Sequence, residues 1–181
     1  DGGSVVFAMC IRKIREQVPG CKVEVLIPDF KGSWVSLKKT VDARPDVLNH
    51  NIESARRIFP KVRPKGKYDL SLELFTKVKE MDSSLITKSG IIVGMGEEWQ
   101  EILDTMGDLR HVGCDLLTIG QYLRPSAKHL PVSRYYTPQE FEELAQIGYD
   151  LGFKHVASGP LVRSSYHADE QHEIASTCLS I

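Results

Sequence analysis

Alternating polar side chains in the segment 49–53 are the first feature of the sequence that indicates chemistry. Asn49, Asn51 and Glu53 occupy every second position, and side chains at that spacing share one face of an extended chain. Two amides and a carboxylate are costly to bury without hydrogen-bond partners. The pattern therefore indicates either a polar ligand at this place or a hydrogen-bonded layer that satisfies itself, and periodicity alone does not decide between them.

Glycines around the apolar run 91–93 are the second such feature. Gly90 precedes the run, and Gly94 and Gly96 follow it. Glycine weakens a strand unless something approaches the backbone closely. A tight turn explains Gly94 and Gly96 but not Gly90, so a ligand passing Gly90 is the simpler interpretation. The spacing is not that of the dinucleotide-binding fingerprint.

Lysine and cysteine offer two further kinds of chemistry. Lys88, which we expect at the mouth of a barrel, could form an imine if its ammonium were desolvated, although most lysines are solvated. The cysteines are far apart, without the spacing of a metal or redox motif, and two of them lie in or next to apolar patterns, so we expect all four to be structural residues. They are Cys10, Cys21, Cys114 and Cys178. The histidines show no zinc-ligand spacing.

The hydrophobic pattern predicts helices that alternate with strands. Apolar residues at three- and four-residue spacing predict the helices, and short β-branched runs predict the strands. The predicted helices cover 7–14, 35–41, 70–78, 102–109 and 137–151, and the predicted strands cover 23–27, 46–52, 91–93, 116–119 and 155–157. Asp69 is a plausible helix cap, and Thr137 with Glu140 forms a capping box.

This alternation indicates right-handed βαβ units and a parallel sheet. We therefore predict an α/β fold and prefer a barrel to an open sheet. A complete eight-unit barrel needs about 250 residues, so five strands in 181 residues predict a partial TIM-like (β/α) barrel. No linker of biased composition divides residues 1–181, which predicts one domain, with a tail of uncertain periodicity from about 158.

Polar residues collect where each predicted strand ends. Pro28–Asp29 follow the first strand, 49–53 lie in the second, 94–97 follow the third, and Gln121–Tyr122 follow the fourth. Ligands of such barrels bind at the carboxyl ends of the strands. The sequence therefore predicts a polar ligand site on this face.

Composition excludes some function classes. The chain is 41% hydrophobic and 26% charged, with a formal net charge of −1, and we read its Lys and Arg residues as scattered between acids without a block. That pattern argues against a nucleic-acid or membrane-surface binder. No apolar run approaches the ~18 residues of a membrane span. The chain opens at Asp1 without an initiator methionine, so we do not expect this to be the natural start.

Four residues of the third strand match a known motif. Gly90, Ile92, Gly94 and Glu97 match the pattern Gly-x-Ile-x-Gly-x-x-Glu of radical S-adenosylmethionine enzymes. Further segments accompany it in order: Val25–Phe30, 49–53, Gly120–Ser126 and Ser158–Asp169. Together they resemble the lipoyl synthase family over nearly the whole chain, and the Arg-Ser-Ser-Tyr segment Arg163–Tyr166 is the most specific of them.

The resemblance implies a partial barrel of the radical S-adenosylmethionine type, with amino-terminal strands missing. It implies S-adenosylmethionine and two 4Fe-4S clusters as cofactors: one cluster cleaves S-adenosylmethionine to a radical, and the other donates two sulfur atoms to an octanoyl chain on a protein lysine. The implied partners are an octanoylated lipoyl-carrier protein or domain and an electron donor such as flavodoxin or ferredoxin. The implied compartment is the bacterial cytoplasm, or a mitochondrion or plastid in a eukaryote.

The resemblance also assigns roles to individual residues. The implied cofactor contacts are Asn49, Asn51, Glu53, Lys88, Gly90, Ile92, Gly94, Glu97, Gln121, Leu123 and Arg163. Ser165 matches a ligand of the auxiliary cluster. Both three-cysteine motifs of the family are absent from this sequence, and in the family they lie upstream. We therefore expect activity of the intact protein and not of this chain alone.

Three other interpretations stay open. Biotin synthase shares the cofactor and the insertion of sulfur, but the segment Arg163–Tyr166 argues against it. A Schiff-base aldolase would need Lys88 as its nucleophile, which borohydride trapping would detect. A fragment that acts only as a binding or inert chain is the third.

Overall fold

The computed structural model describes residues 1–177. Within them, helices and strands alternate after an opening helix, and a short 3-10 turn, Phe30–Gly32, follows the first strand. In chain order they are α1 Ser4–Gln17, β1 Glu24–Leu26, α2 Trp34–Val41, β2 Val47–Asn49, α3 Phe59–Val62, α4 Tyr68–Met81, β3 Ile86–Val93, α5 Trp99–His111, β4 Leu116–Gln121, α6 Pro138–Asp150, β5 His155–Gly159 and α7 Ala168–Thr177. Cys178 lies outside the described residues.

The strands form one parallel sheet in the order β1-β2-β3-β4-β5. Asn49 of β2 aligns with Lys88 of β3, and Gly90 of β3 aligns with Thr118 of β4. When each strand lies beside its sequence neighbour, right-handed crossovers place their helices on one side of the sheet, as in a barrel. A doubly wound sheet would instead reverse its strand order. The prediction of an α/β fold of partial-barrel type is confirmed.

Apolar side chains cover both faces of the sheet, but unequally. The face toward the helices carries most of the core, with Leu48, Ile91, Leu117 and Ile119 among its buried strand residues. The inner face holds a smaller cluster in which Val47, Ile86 and Leu116, each the first residue of its strand, meet Ala175 of α7. The helix α7 therefore covers the inner face at the amino ends of the strands and leaves the carboxyl ends to polar residues.

Capping residues set the start of the two best-defined helices. Thr137 Oγ1 accepts from Glu140 N (3.2 Å), and the Glu140 carboxylate accepts from Thr137 N (2.8 Å), which confirms the predicted capping box. Glu98 and Glu101 form a second box at the start of α5. No helix among residues 1–177 is long and apolar enough to cross a membrane.

Several local predictions differ from the structure. Asp69 does not cap α4: it lies inside the first turn, and the cap position is Lys67, which makes no side-chain cap bond. The second strand ends at Asn49 and not at Ile52, because the chain bulges there. The tail from about 158 contains β5's last residues and α7, which its weak periodicity did not predict.

Candidate functional site

The chain leaves the regular ladder after β2 and then returns to it. His50 N donates to Lys88 O (3.0 Å), and the next ladder bond runs from Glu53 N to Gly90 O (2.9 Å). Three steps along this segment therefore match two along β3. One extra residue of this kind is a β-bulge, which bends a strand and redirects its side chains.

Ser89 of β3 fills the gap that the bulge opens. Its hydroxyl accepts from Ile52 N (3.1 Å) and donates to His50 O (3.0 Å). These backbone groups have lost their ladder partners, and a buried unpaired backbone group costs about as much as a lost hydrogen bond. Ser89 thereby fixes the path of the segment 50–53.

Glu53 re-enters the sheet in a strained conformation. Its φ is 71°, in the left-handed region that non-glycine residues rarely adopt. The backbone is held by Gly90 on one side and by Ile92 N, which donates to Glu53 O (2.8 Å), on the other. Such a conformation costs about 1 kcal/mol or more and tends to occur at ligand sites.

A cavity of about 200 Å³ opens beside the bulge, at the carboxyl ends of β1 and β2. It is lined by Leu26, Ile27, Pro28, His50, Asn51, Glu53 and Arg63. Arg63 Nη1 donates to Asn51 O (3.1 Å), which anchors the guanidinium at this place. A carboxylate, an amide and a guanidinium therefore face one small space.

Buried side-chain oxygens without hydrogen-bond partners lie in the same segment. They are Asn49 Oδ1, Asn51 Oδ1 and Ser54 Oγ. Burial also raises the pKa of the Glu53 carboxyl, against the opposing effects of Arg63 and Asn51. An acceptor without a donor and a carboxylate with little solvent would both gain from a ligand that brings hydroxyl or ammonium groups.

His50 serves the fold and not the cavity. Its Nδ1 lies 2.9 Å from Ile27 O and its Nε2 lies 3.0 Å from Ser71 Oγ. Burial lowers the pKa of His50, so the ring is neutral near pH 7. Because a carbonyl can only accept, Nδ1 carries the proton and Nε2 accepts from Ser71. The ring thus joins the ends of β1 and β2 to α4.

The glycines of β3 and β4 permit close approach between neighbouring parts of the chain. A Cβ atom at Gly90 would lie 2.9 Å from both Asn51 Oδ1 and Thr118 Oγ1, and one at Gly120 would overlap Val162 O. The prediction that something approaches Gly90 therefore has an answer within the chain. The Asn51 amide lies over Gly90, which places the glycine directly beside the cavity.

Glu97 organises the turn after β3. Its carboxylate accepts from Gly94 N (2.5 Å), Met95 N (2.9 Å) and Tyr136 Oη (3.0 Å). Burial together with Glu97 raises the pKa of Tyr136 to about 12, so its hydroxyl stays protonated and donates. Gly94 has a φ of 103°, which explains the glycine. The structure gives Glu97 a structural task beyond the cofactor contact implied by the motif.

Gln121 organises the connection 122–136. Its amide nitrogen donates to Arg134 O (3.1 Å) and Tyr122 O (3.2 Å), and its oxygen accepts from Tyr136 N (3.0 Å). The side chain is 3% exposed and has no free polar atom to offer a ligand. Leu123, two residues further along the chain, is 48% exposed.

Arg163 and Ser165 lie in the segment between β5 and α7. Arg163 is exposed, its Nη1 donates to Val162 O (2.6 Å), and the guanidinium lies against Gly120. Ser165 is exposed in the turn 164–167 that precedes α7. The structure therefore places Ser165 away from the bulge and leaves its hydroxyl accessible.

Lys88 does not lie at the mouth of the barrel, so that expectation is wrong. It is the third residue of β3 and is 0% exposed. Its Nζ pairs with Glu24 Oε2 (3.1 Å), and Asn49 Nδ2 donates to Glu24 Oε1 (2.9 Å). Burial lowers the pKa of Lys88 while Glu24 opposes that effect. An ammonium held by a carboxylate is a poor imine nucleophile, which disfavours the aldolase interpretation.

The cysteines differ from one another. Cys10 and Cys21 are exposed, whereas Cys114 is buried. Burial raises the pKa of the Cys114 thiol well above its usual range, which keeps it protonated. Among residues 1–177, no three His, Cys, Asp or Glu side chains are placed to hold a metal ion.

Sequence reasoning missed three residues of this site. Arg63, Ser89 and Thr118 gain their roles from the register of β2, β3 and β4 and from the bulge. For Arg63, the only sequence signal was its place in a run of basic residues after the segment 49–53. The alternation of Asn51 and Glu53 did identify the carboxylate and amide that the cavity brings together.

Curated relatives match nearly the whole chain, although no protein-family model does. The lipoyl synthase of Rubrobacter xylanophilus is 59% identical over 175 residues, which are 97% of this chain and 54% of that protein. The lipoyl synthases of Symbiobacterium thermophilum and Caldanaerobacter subterraneus are 57% and 55% identical over 94% and 93% of this chain. The chain thus spans about half the length of these relatives, 53–59%.

A solved structure shares the fold. The crystal structure of methylornithine synthase matches 80% of this chain and 43% of that chain with a TM-score of 0.62. Its sequence identity is 13%, so this likeness concerns architecture alone. The close relatives confirm the resemblance read from the segments 49–53, 90–97 and 158–169: at 59% identity over 97% of its length, the chain belongs to the lipoyl synthase family.

Proposed function

We propose that the complete protein is a lipoyl synthase, a radical S-adenosylmethionine enzyme that inserts two sulfur atoms into a protein-bound octanoyl chain. Family membership supports the proposal, and one structural observation carries it. The segment 49–53 folds into a cavity where the Glu53 carboxylate, the unpaired Asn51 oxygen and the Arg63 guanidinium converge. The sequence resemblance implies cofactor contacts at Asn51 and Glu53, and both residues line this cavity.

The residues at the bulge fit S-adenosylmethionine. That molecule offers an ammonium group and ribose hydroxyls as donors and a carboxylate as an acceptor. Asn51 Oδ1 has no donor, burial raises the pKa of the Glu53 carboxyl although Arg63 and Asn51 oppose that effect, and an arginine binds a carboxylate in bidentate geometry. Ligand sites usually measure about 300–1,000 Å³, so the cavity of about 200 Å³ would hold one polar end of the molecule.

When bound and reduced, S-adenosylmethionine supplies a 5′-deoxyadenosyl radical that removes hydrogen from the octanoyl chain. In this proposal, the chain's own residues orient that cofactor. Asn51 and Glu53 accept its hydrogen bonds, Gly90 and Ile92 form the backbone floor beside them, and Gly94 turns the chain away. Asn49 Nδ2 and Lys88 Nζ both bond to Glu24, and these two side chains would support the floor from below.

The described residues do not supply an iron–sulfur cluster with its cysteines. Cys10 and Cys21 are isolated on the surface, and Cys114 is buried and protonated. Ser165 remains a proposed ligand of the auxiliary cluster, and Arg163 a proposed cofactor contact, both on the family resemblance alone. We accordingly propose that this chain by itself forms no lipoyl product.

The proposed partners follow from the proposed reaction. They are an octanoylated lipoyl-carrier protein or domain, which presents the substrate, and an electron donor such as flavodoxin or ferredoxin. The proposed compartment is the cytoplasm in a bacterium and the mitochondrion or plastid in a eukaryote.

The decisive test uses the product of the complete reading frame, reconstituted anaerobically with iron and sulfide. With S-adenosylmethionine, dithionite and an octanoylated carrier, we expect the mass of the carrier to rise by two sulfur atoms together with release of 5′-deoxyadenosine. Dethiobiotin in place of the octanoylated carrier tests biotin synthase and should give no product. The proposal fails if the octanoyl carrier returns unchanged while 5′-deoxyadenosine forms.

The proposed ligand role of Ser165 has a separate test. Ser165→Ala in the complete protein should keep most of the iron and the release of 5′-deoxyadenosine but lose most lipoyl product. Ser164→Ala is the matched control, since the resemblance makes only the second serine a ligand. Normal product from the Ser165 variant would contradict the assignment.

A further inference from the structure

A basic segment follows the cavity. Between Glu53 and Asp69 the sequence has no acidic residue, and its basic residues are Arg56, Arg57, Lys61, Arg63, Lys65 and Lys67. We call residues 56–67 the basic connection. It corrects the expectation that cations are scattered between acids throughout the chain.

Two cations of the basic connection are neutralised by other elements. Arg56 Nη1 pairs with Asp69 (2.5 Å), and Arg57 pairs with the Glu101 carboxylate (2.8 Å). Arg57 also donates to Gly96 O (2.7 Å). These bonds fasten the start of the basic connection to α4 and α5, so its position on the fold is fixed.

The three lysines of the basic connection have no acidic partner among residues 1–177, whereas Arg63 acts electrostatically on the Glu53 carboxyl. Lys61, Lys65 and Lys67 are exposed, Arg63 is half-buried, and among residues 1–177 none of them forms an ion pair. Surface lysines elsewhere on the chain, such as Lys38 and Lys77, pair with a neighbouring carboxylate. An unbalanced cluster of one sign therefore lies on a chain whose net charge is −1.

The place of this cluster links it to the candidate site. Arg63 belongs both to the basic connection and to the lining of the cavity beside Glu53. The basic connection follows the segment 50–53 at the carboxyl end of β2, and we place it at the rim on that side of the sheet. A macromolecule that delivers a substrate to the cavity would pass over this rim.

We propose that the basic connection docks an acidic surface of the protein that carries the octanoyl chain. This inference rests on the proposed function and adds the partner's charge and the residues that meet it. Complementary charges at the rim of an interface steer encounter and fix orientation more than they add contact energy. Arg63 lines the cavity, whereas Lys61, Lys65 and Lys67 are exposed and would pair with the acids of the partner.

Nucleic acid and anionic membrane are weaker fits to the same charges. Nucleic-acid-binding domains have a basic face and usually a pI above about 9, whereas the pI of this chain is 6.7. Stable attraction to anionic lipid uses about four to eight cations next to a membrane-spanning helix or on an amphipathic helix; the basic connection has enough cations, but its one helix, α3, has only four residues. A small cluster beside a reaction site suits a protein partner that must bind and leave.

The test compares two double charge reversals in the reconstituted complete protein. Lys61→Glu/Lys65→Glu changes the basic connection. Arg12→Glu/Lys39→Glu changes net charge equally on the exposed sides of α1 and α2, where neither residue forms an ion pair in the described part of the chain. Binding of a fluorescently labelled, octanoylated, acidic carrier domain is measured by anisotropy.

We expect the first variant to raise Kd about tenfold at about 0.05 M salt and less than about threefold at about 0.3 M, because salt screens rim charges. The control pair should stay within about twofold of wild type. Lys61→Gln/Lys65→Gln should give an intermediate Kd, which covers the case in which the reversal does not fold. Equal Kd values for wild type and for the folded first variant would overturn the inference, as would a wild type that binds duplex RNA or phosphatidylserine vesicles through these lysines and not the carrier.

A second arm separates this inference from the proposed function. With an uncharged octanoyl-lysine tripeptide as substrate, the Lys61/Lys65 variants should form lipoyl product at the wild-type rate, because no docking surface is involved. Absence of product from wild type with both substrates would overturn the proposed function. Product from wild type with an unaltered Kd in the variants would overturn the docking surface alone.

Discussion

Replacing Gly90 by alanine should separate ligand binding from folding. The Cβ atom would lie 2.9 Å from Asn51 Oδ1 and 2.9 Å from Thr118 Oγ1. Both are ends of side chains, which can move, and the φ of Gly90 lies outside the left-handed region. The substitution therefore acts mainly on the Asn51 amide, the group that we propose meets S-adenosylmethionine.

The magnitude follows from the contact distances. Ordinary contact begins near 3.4 Å, so each oxygen must move by about 0.5 Å. Alanine in a strand gains about 0.5–1 kcal/mol over glycine, and crowding costs about 1–3 kcal/mol, which leaves a net loss of about 1 kcal/mol in the free energy of unfolding. Losing one neutral hydrogen bond of about 0.5–1.5 kcal/mol should weaken S-adenosylmethionine binding about 2- to 13-fold.

The assay measures S-adenosylmethionine binding to the reconstituted complete protein by equilibrium dialysis, with iron content and urea unfolding measured alongside. Gly107→Ala is the matched control, because a Cβ there meets nothing within 4 Å. In the interior of α5 that change should stabilise the protein by about 0.5–1 kcal/mol and leave binding unchanged. Unaltered affinity in a folded Gly90→Ala protein would refute the argument that the orientation of Asn51 sets binding.

Three further substitutions test the charges of the site. Glu53→Gln should weaken S-adenosylmethionine binding yet stabilise the folded protein. Because burial raises the pKa of Glu53, the gain in the free energy of unfolding should be absent well below pH 4.5 and should grow as the pH rises above it. Urea unfolding at several pH values would show this dependence. Lys88→Met should cost about 3–5 kcal/mol in the free energy of unfolding by leaving Glu24 without its cation. The double variant Lys88→Met/Glu24→Leu should recover most of that loss. Equal losses in the single and the double variant would contradict a buried ion pair. Glu97→Gln should cost about 1.5–3 kcal/mol by weakening charge-assisted bonds, and a stability within about 0.5 kcal/mol of wild type in urea would contradict its role in the turn.

The alternation of helices and strands was predictable because it depends on local pattern. The capping box at Thr137 and the apolar face of α6 need only residues close in sequence. The five strands follow from short β-branched runs, and their parallel pairing follows from the helices between them. Because polar residues follow the β-branched runs in the sequence, the carboxyl ends of the strands were predicted to be polar.

The details of the site were not predictable because they depend on register. Ser89 replaces ladder partners only because β2 gains one residue relative to β3, and no local pattern marks that bulge. Arg63 reaches the cavity across 12 positions to bond Asn51. The helix α7 gave no clear period; among those of its residues whose burial the structure describes, Gln171 and Ala175 are buried and the others are not.

The sequence identified important polar residues better than it predicted what those residues contact. Glu97, Gln121 and Lys88 were all expected to meet a cofactor, and all three are buried. In the structure, backbone groups, Tyr136 and Glu24 satisfy them. Sequence shows that a polar group is costly to bury, but only the fold shows whether the chain itself offsets that cost.

This distinction locates the ligand within the polar face. At Glu97 and Lys88 the chain supplies the partners of the buried charge, so nothing there requires another molecule. At the bulge, a left-handed glutamate, a carboxyl whose pKa burial raises and unpaired oxygens of Asn49 and Asn51 occur within five residues. Each of these features lowers the stability of the fold. Strained backbone and unsatisfied polar groups tend to cluster at functional sites. Ser89 and Gly90 hold this arrangement from the neighbouring strand, and these unpaired groups support our proposal that the polar end of S-adenosylmethionine binds there.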